Sequence, residues 1–320
     1  MSNLITTDRI IGHYRGEEPG PFVIAIGGQH GNEPAGVRAL EQVFDLLDQE
    51  PSINPGFAFK GELMALRGNL PALAADQRFV EVDQNRLWLP ERLSWPEDDP
   101  RLFAEDHQIR EIIDIIEIAL EESDATEVAV IDLHTTTAEG GIFVIPGNSN
   151  DSRLLAAELY VPVVEGLLDG LKGTGLHFFQ SGYLKDKRPV RSLTFEAGSH
   201  YNPRSVDLAV AATLNLLRAL GCVQTADVRT LHDELLREYG KPLPRRTRLA
   251  YIHHIEPADE FTMLPGFENF HPVDAGIAIG RDKQGLVLSP KRGYVLMPLY
   301  QAQGQEGFFL VEDVVAQLAF

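Results

Sequence analysis

Two hydrophobic rhythms alternate along most of the chain. Phe22 to Ile26, Lys60 to Leu66, Val128 to Leu133, Gly141 to Ile145 and Ser192 to Glu196 are short, mainly apolar runs bounded by turn residues, and they read as strands. Between them, Val37 to Leu47, Gln108 to Leu120, Arg153 to Leu171 and Val206 to Leu220 repeat apolar residues at three- and four-residue spacing, with Pro or Gly near their ends, and they read as helices. Alternation of this kind predicts an α/β fold, a sheet flanked by helices. Past Cys222 the rhythm changes. A polar, helix-prone stretch through Tyr239 leads to Lys241–Arg246, read as a linker, and then to short apolar runs over 274–280, 285–290 and 293–298. The predicted division is an α/β domain over residues 1–222 and a smaller, mostly β domain over 223–320.

Composition narrows the choice of partners. At 320 residues with 44% hydrophobic and 23% charged side chains, the chain is long enough for a sizeable core and ordinary for a soluble globular protein. A formal net charge of −19 disfavours nucleic acid and anionic membrane surfaces, so an anionic substrate needs a local cluster of arginines. Met1–Arg9 lacks a basic segment followed by an apolar core, and no run of about 18 apolar residues occurs. The expectation is a soluble, cytoplasmic protein, with homo-oligomerisation left open. Cys222, the single cysteine, allows no internal disulfide and reads as inert. The acidic stretch Pro96–Pro100 and the longer segment Trp88 to Phe103 read as surface loops.

Four segments carry candidate chemistry. His30 and Glu33, three residues apart in Gly27-Gly28-Gln29-His30-Gly31-Asn32-Glu33, follow the first strand at its carboxyl end, where open α/β sheets bind ligands. His134 ends another such strand, and two His with one Glu and an open position are the ligand set of a catalytic zinc. Arg78-Phe79-Val80-Glu81-Val82-Asp83-Gln84-Asn85-Arg86 concentrates two arginines and an amide in an acidic protein, a pattern shaped to hold a carboxylate. Glu196, at the end of a strand and two residues before Gly198, suits proton transfer beside a metal. His200 is read as structural or exposed, as are His13, His107, His177, His232, His253, His254 and His271, which have no partner at ligand spacing.

Together, Gly-x-His-Gly-Asn-Glu, Asp-x-Asn-Arg, a strand ending in Asp-Leu-His and a later Phe-Glu-Ala-Gly resemble the succinylglutamate desuccinylase and aspartoacylase family. That resemblance implies a zinc-carboxypeptidase-like mixed sheet and hydrolysis of the amide of a small N-acyl amino acid. It implies one Zn²⁺ per chain held by His30, Glu33 and His134, with Glu196 as general base and acid. Arg78 would polarise the scissile carbonyl, Asn85 and Arg86 would hold the substrate carboxylate, and Asp83 would orient a ligand histidine. The family's further cation falls among Lys185, Lys187, Arg188 and Arg191, and its carboxy-terminal tyrosine at Tyr294 or Tyr300. The rival readings are a zinc carboxypeptidase acting on a short peptide and a zinc-binding protein without turnover.

Overall fold

The structure is a computed structural model that describes residues 9–228 and 233–314. Met1–Asp8, His232 and part of the polar stretch after Cys222 lie outside the described residues. The strands are β1 (Ile10–Arg15), β2 (Glu18–Gly27), β3 (Lys60–Arg67), β4 (Val128–Thr136), β5 (Phe143–Pro146), β6 (Val163–Glu165), β7 (Val190–Ser199), β8 (Arg246–His254), β9 (Thr262–Met263), β10 (His271–Val273), β11 (Ala278–Asp282), β12 (Gly285–Leu288), β13 (Gly293–Leu296) and β14 (Glu306–Asp313). Eleven of them form one mixed sheet in the order β1-β3-β2-β4-β7-β5-β6-β8-β14-β13-β10.

The centre of the sheet, β3-β2-β4-β7, is parallel, which requires cover on both faces and explains its nearly continuous apolar runs. Successive side chains point to opposite faces. Phe22, Ile24 and Ile26 therefore pack with Ile109, Ile112 and Ile116 of the helix Ala104–Glu121, while Val23 and Ala25 pack with Leu40, Val43 and Leu47 of the helix Ala35–Ile53 and Leu208 of the helix Arg204–Ala219. Each large aliphatic side chain buried this way contributes about 1.5–3 kcal/mol. Trp88, inside the segment read as a surface loop, is fully buried against Phe178 and Phe179.

One predicted helix divides. Arg153 to Leu171 contains the end of the helix Asn150–Ala157, then β6, then the short helix Leu167–Gly170. Tyr160 adopts a left-handed backbone and Pro162 lacks the N–H that a continuing helix needs, so the chain leaves the helix and Val163–Val164 extend as a strand. The carboxy-terminal strands also divide. β11 and β12 join β9 in a separate three-stranded sheet, whereas β8, β14, β13 and β10 continue the main sheet through the parallel pairing of β6 with β8. Lys241–Arg246 is short and feeds directly into β8, which begins at Arg246. Cys222 is buried, and burial pushes its thiol up to about 12, consistent with an inert residue. Among the described residues no helix is long and apolar enough to cross a membrane.

Candidate active site

Two parallel strands and one turn bring the ligand candidates together. β2 ends at Gly27, and the chain turns through His30 to Glu33 before the helix Ala35–Ile53 begins. His134 lies on the neighbouring β4, and its partner in register on β7 is Glu196. All four side chains are buried. One donor atom from each of His30, Glu33 and His134 falls within 4.8 Å of the others. His30 Nδ1 is 2.8 Å from Glu33 Oε1, and His134 Nδ1 is 3.1 Å from Glu33 Oε2.

The back of each ring is held by a carboxylate. His30 Nε2 lies 3.0 Å from Asp83 Oδ1, and His134 Nε2 lies 2.9 Å from Asp132 Oδ2. An Nε2–H donated to each aspartate orients the rings and turns both Nδ1 atoms toward the space beside the Glu33 oxygens. Deprotonated at Nδ1, the two imidazoles together with the Glu33 carboxylate would form a donor set that fits Zn²⁺. Asp132 is in turn bonded by the Gln29 amide, whose oxygen accepts from Trp88 Nε1 at 2.8 Å, so His134 is anchored to the core.

Charge in the metal-free site follows from this crowding. Burial would raise the Glu33 carboxyl, but the His30 and His134 rings outweigh it and hold the group well below the usual carboxylate range. Burial opposes charge on His134 as well, yet Asp132 and Glu33 drive it well above the ordinary imidazole value. Glu196 differs from them. Burial is the main cause pushing its carboxyl up to about 8, and its Oε2 has no hydrogen-bond partner among the described residues. An unpartnered buried carboxyl with a raised pKa is suited to pick up and release a proton.

The arginine segment forms the next wall. Arg78 donates to Asp83 Oδ2 through Nη2 at 2.9 Å and Nε at 3.2 Å, and its Nη1 lies 3.6 Å from Glu33. Asn85 sits in a short 3₁₀ turn, Gln84–Arg86, and its side-chain oxygen accepts from Gly175 N at 2.9 Å, which leaves its NH₂ to donate elsewhere. Arg86 donates to Glu306 at 2.6 Å. His30, Glu33, Arg78, Asn85, Arg86, His134 and Glu196 all line one pocket, an empty space of about 900 Å³ including its open mouth.

Four features escaped the sequence. Asp132 is one; its place two residues before His134 on the same strand put it on the same face, a signal that was available. His200 is another, since it lines the pocket with Nδ1 2.7 Å from Thr135 Oγ1 and its Nε2 buried without a partner among the described residues. Glu306 and a wall of leucines, described below, carried no local signal. The cations considered for the substrate's second carboxylate do not line the pocket. Lys185 pairs with Glu117, Arg188 with Asp186 and Arg191 with Glu127, while Lys187 donates to main-chain carbonyls. Neither tyrosine lines it: Tyr294 bonds Asp313, and the Tyr300 hydroxyl bonds Leu264 O at 2.9 Å.

The mixed sheet, with these side chains at or just beyond the carboxyl ends of neighbouring parallel strands, has a zinc-carboxypeptidase-like fold. Residues 19–165, just under half of the chain, match the succinylglutamate desuccinylase/aspartoacylase catalytic domain. The matched stretch contains His30, Glu33, Arg78, Asn85, Arg86 and His134; Glu196 lies beyond it. A curated relative from Nostoc sp., named "Probable aspartoacylase", is 33% identical over 148 residues, covering 46% of this chain and 45% of that protein. The chain thus aligns with about half the length of that relative. Among solved structures, succinylglutamate desuccinylase from Vibrio parahaemolyticus superposes with a TM-score of 0.62 at 17% identity, over 93% of this chain and 83% of that one. Murine aminoacylase 3 superposes with a TM-score of 0.58 at 19% identity, over 92% and 96%. These likenesses establish the fold.

Proposed function

We propose that this protein is a zinc-dependent hydrolase that cleaves the amide bond of a small N-acyl amino acid. The observation that carries the reading is the buried group of His30, Glu33 and His134 beside a buried carboxyl, Glu196, whose Oε2 has no hydrogen-bond partner among the described residues. When bound by those three ligands, Zn²⁺ would supply Lewis acidity and lower the pKa of a coordinated water from about 15.7 to about 7. The chain's own residues do the rest. Glu196 takes the proton of the attacking water and returns it to the departing amine nitrogen. Arg78, held in place by Asp83, donates to the carbonyl oxygen as negative charge develops there. Asn85 and Arg86 orient the carboxylate of the amino-acid part.

Residues 297–306 supply part of the pocket wall, through Met297, Leu299, Gln301, Gly304 and Glu306. That wall supports a compact substrate over a peptide chain. The test is release of primary amine from N-acetyl and N-succinyl amino acids by zinc-loaded protein, beside Glu196→Gln. Turnover is expected to fall by about 10²–10⁴-fold in that variant while zinc content is kept. Near-normal turnover in Glu196→Gln overturns the assignment.

A further inference from the structure

Two guanidiniums line the pocket, and both are already engaged by the chain's own carboxylates. Arg78 is taken by Asp83 and Glu33, and Arg86 by Glu306. The Arg86–Glu306 pair is largely shielded from solvent, with side-chain exposures of 17% and 10%, so it is not a loose surface contact. Among the described residues no lysine lines the pocket. Three carboxylates do: Glu33, Glu196 and Glu306.

Threonines, His200 and Gln301 line other parts of the cavity, and one side of it is apolar. Ile145, Leu167, Leu168, Leu171, Leu176 and Phe309 form a continuous wall that is one surface of the hydrophobic cluster beneath β5, β6 and β14. This wall adjoins the arginine segment directly: Gly175, next to Leu176, donates to Asn85, and the main chain at Gly173 packs against that of Arg86. A group extending from a substrate carboxylate held at Asn85 and Arg86 therefore meets leucine side chains and, at their edge, the Glu306 carboxylate. An aliphatic or aromatic side chain gains from burial there. Among the described residues of the lining a second carboxylate finds no arginine or lysine without a carboxylate partner, and it is repelled by Glu306.

Building on the deacylase reading, we infer that this site selects N-acyl amino acids with an uncharged, apolar side chain, and that Glu306 is a specificity-determining residue that excludes a second carboxylate. Glu306 occupies the guanidinium that a dicarboxylic substrate would otherwise recruit. A single substrate carboxylate is accommodated by the NH₂ of Asn85 and the Arg86 N–H groups not donated to Glu306 and to the Asn85 main-chain oxygen.

The experiment compares kcat/KM of the zinc-loaded protein for N-acetylleucine, N-acetylphenylalanine, N-acetylaspartate and N-succinylglutamate. Hexanoyl- and acetyl-leucine, run side by side, report whether the acyl part or the amino-acid part fills the wall. The apolar amino acids are expected to lead the acidic ones by about 100-fold. Glu306→Gln frees Arg86 and is expected to narrow that ratio by about tenfold. Leu171→Arg, at a partly buried position, adds a cation to the wall and is expected to raise the acidic substrates further. Free leucine and free aspartate, tested as inhibitors, should follow the same order without any dependence on turnover. Preference of the unmodified protein for N-acetylaspartate or N-succinylglutamate overturns the selectivity and leaves the deacylase standing. An acyl-length preference with no side-chain preference overturns the assignment of the wall to the amino-acid part. An unchanged ratio in Glu306→Gln removes the role of Glu306. Silence across the panel with zinc bound overturns the deacylase and this inference with it.

Discussion

Glu196 stores a cost in the fold. Its carboxyl has an ordinary value of 4.5 and sits at about 8 in the metal-free protein, because burial disfavours the charged form. The folded state therefore holds that proton more tightly than the unfolded chain does. Stability from this group is complete below about pH 4.5 and declines as pH rises to about 8, by roughly 5 kcal/mol at most. His134 acts in the same direction: its raised value gives stability at low pH that is lost as pH rises. Glu33 and Asp83, held well below the carboxylate range, oppose both only under strongly acidic conditions. Metal-free Glu196→Gln is accordingly expected to melt above the unmodified protein at pH 8 and near it at pH 5, as read by calorimetry. Equal melting temperatures at pH 8 would contradict the burial cost.

The residues behind the ligands invite a second test at the same scale. Asp132 and Asp83 accept from the far nitrogens of His134 and His30. Asp132→Asn keeps the shape but weakens the ligand's basicity, and a loss of about 10–100-fold in zinc affinity is expected by competition with a chromophoric chelator. The same change at the exposed Asp274 should leave affinity untouched.

At the scale of elements, the loop carrying Arg78, Asp83, Asn85 and Arg86 has little regular structure of its own beyond the short turn Gln84–Arg86. Its position is set from the helix Ala104–Glu121. The fully buried Glu105 accepts from the main-chain N–H groups of Val80 at 2.7 Å, Glu81 at 3.2 Å and Val82 at 3.3 Å, and from Asn69. Glu105→Ala leaves those donors buried and unpaired, which costs about 1–3 kcal/mol each at the sites that water cannot reach. The expected outcome is a rise in KM and a fall in kcat with zinc content preserved, since the metal ligands lie on other elements. Loss of zinc in that variant would show that the loop and the metal group are not separable.

The metal turn is constrained in another way. A Cβ on Gly31 would fall 2.0 Å from the main-chain carbon of Ala72, so the turn between His30 and Glu33 lies hard against the helix Leu70–Ala75. Gly31→Ala forces that contact apart and is expected to lower metal occupancy, measured by elemental analysis of purified protein. His30 and Glu33 were legible because they sit in a glycine-rich turn after an unmistakable strand. The helix predicted over Arg153 to Leu171 was not read correctly, because spacing alone cannot register a left-handed residue and a proline that convert its middle into β6.

For the whole molecule, the proposed zinc site, set among buried carboxylates, predicts that metal and fold are interdependent. Removing zinc with a chelator leaves Glu33, Glu196, Asp83 and Asp132 crowded around two imidazoles, so the melting temperature is expected to drop, and to drop further at pH 8 than at pH 6. Calorimetric titration in buffers of different ionisation enthalpy should show protons released as zinc binds, because His134 must give up the proton it holds in the metal-free state. Zinc binding without proton release would overturn the charge assignment of that histidine.

By itself, the sequence determined the strand and helix rhythm of the α/β core, the His30–Glu33 pair, the position of His134 at a strand end and the concentration of arginines in residues 78–86. These are local signals: periodicity, turn chemistry and short spacing, all fixed within a dozen residues. Tertiary structure alone decided which distant groups meet. Arg86 and Glu306 are 220 residues apart in sequence, and their pairing depends on β14 joining the sheet through β8. The leucine wall comes from a segment whose path turns on Pro162 and Gly166, and His200 reaches the pocket only because the chain turns back beyond β7. Side-chain type tells what a residue can do; long-range strand pairing, which closes loops of a hundred residues or more, sets what it faces.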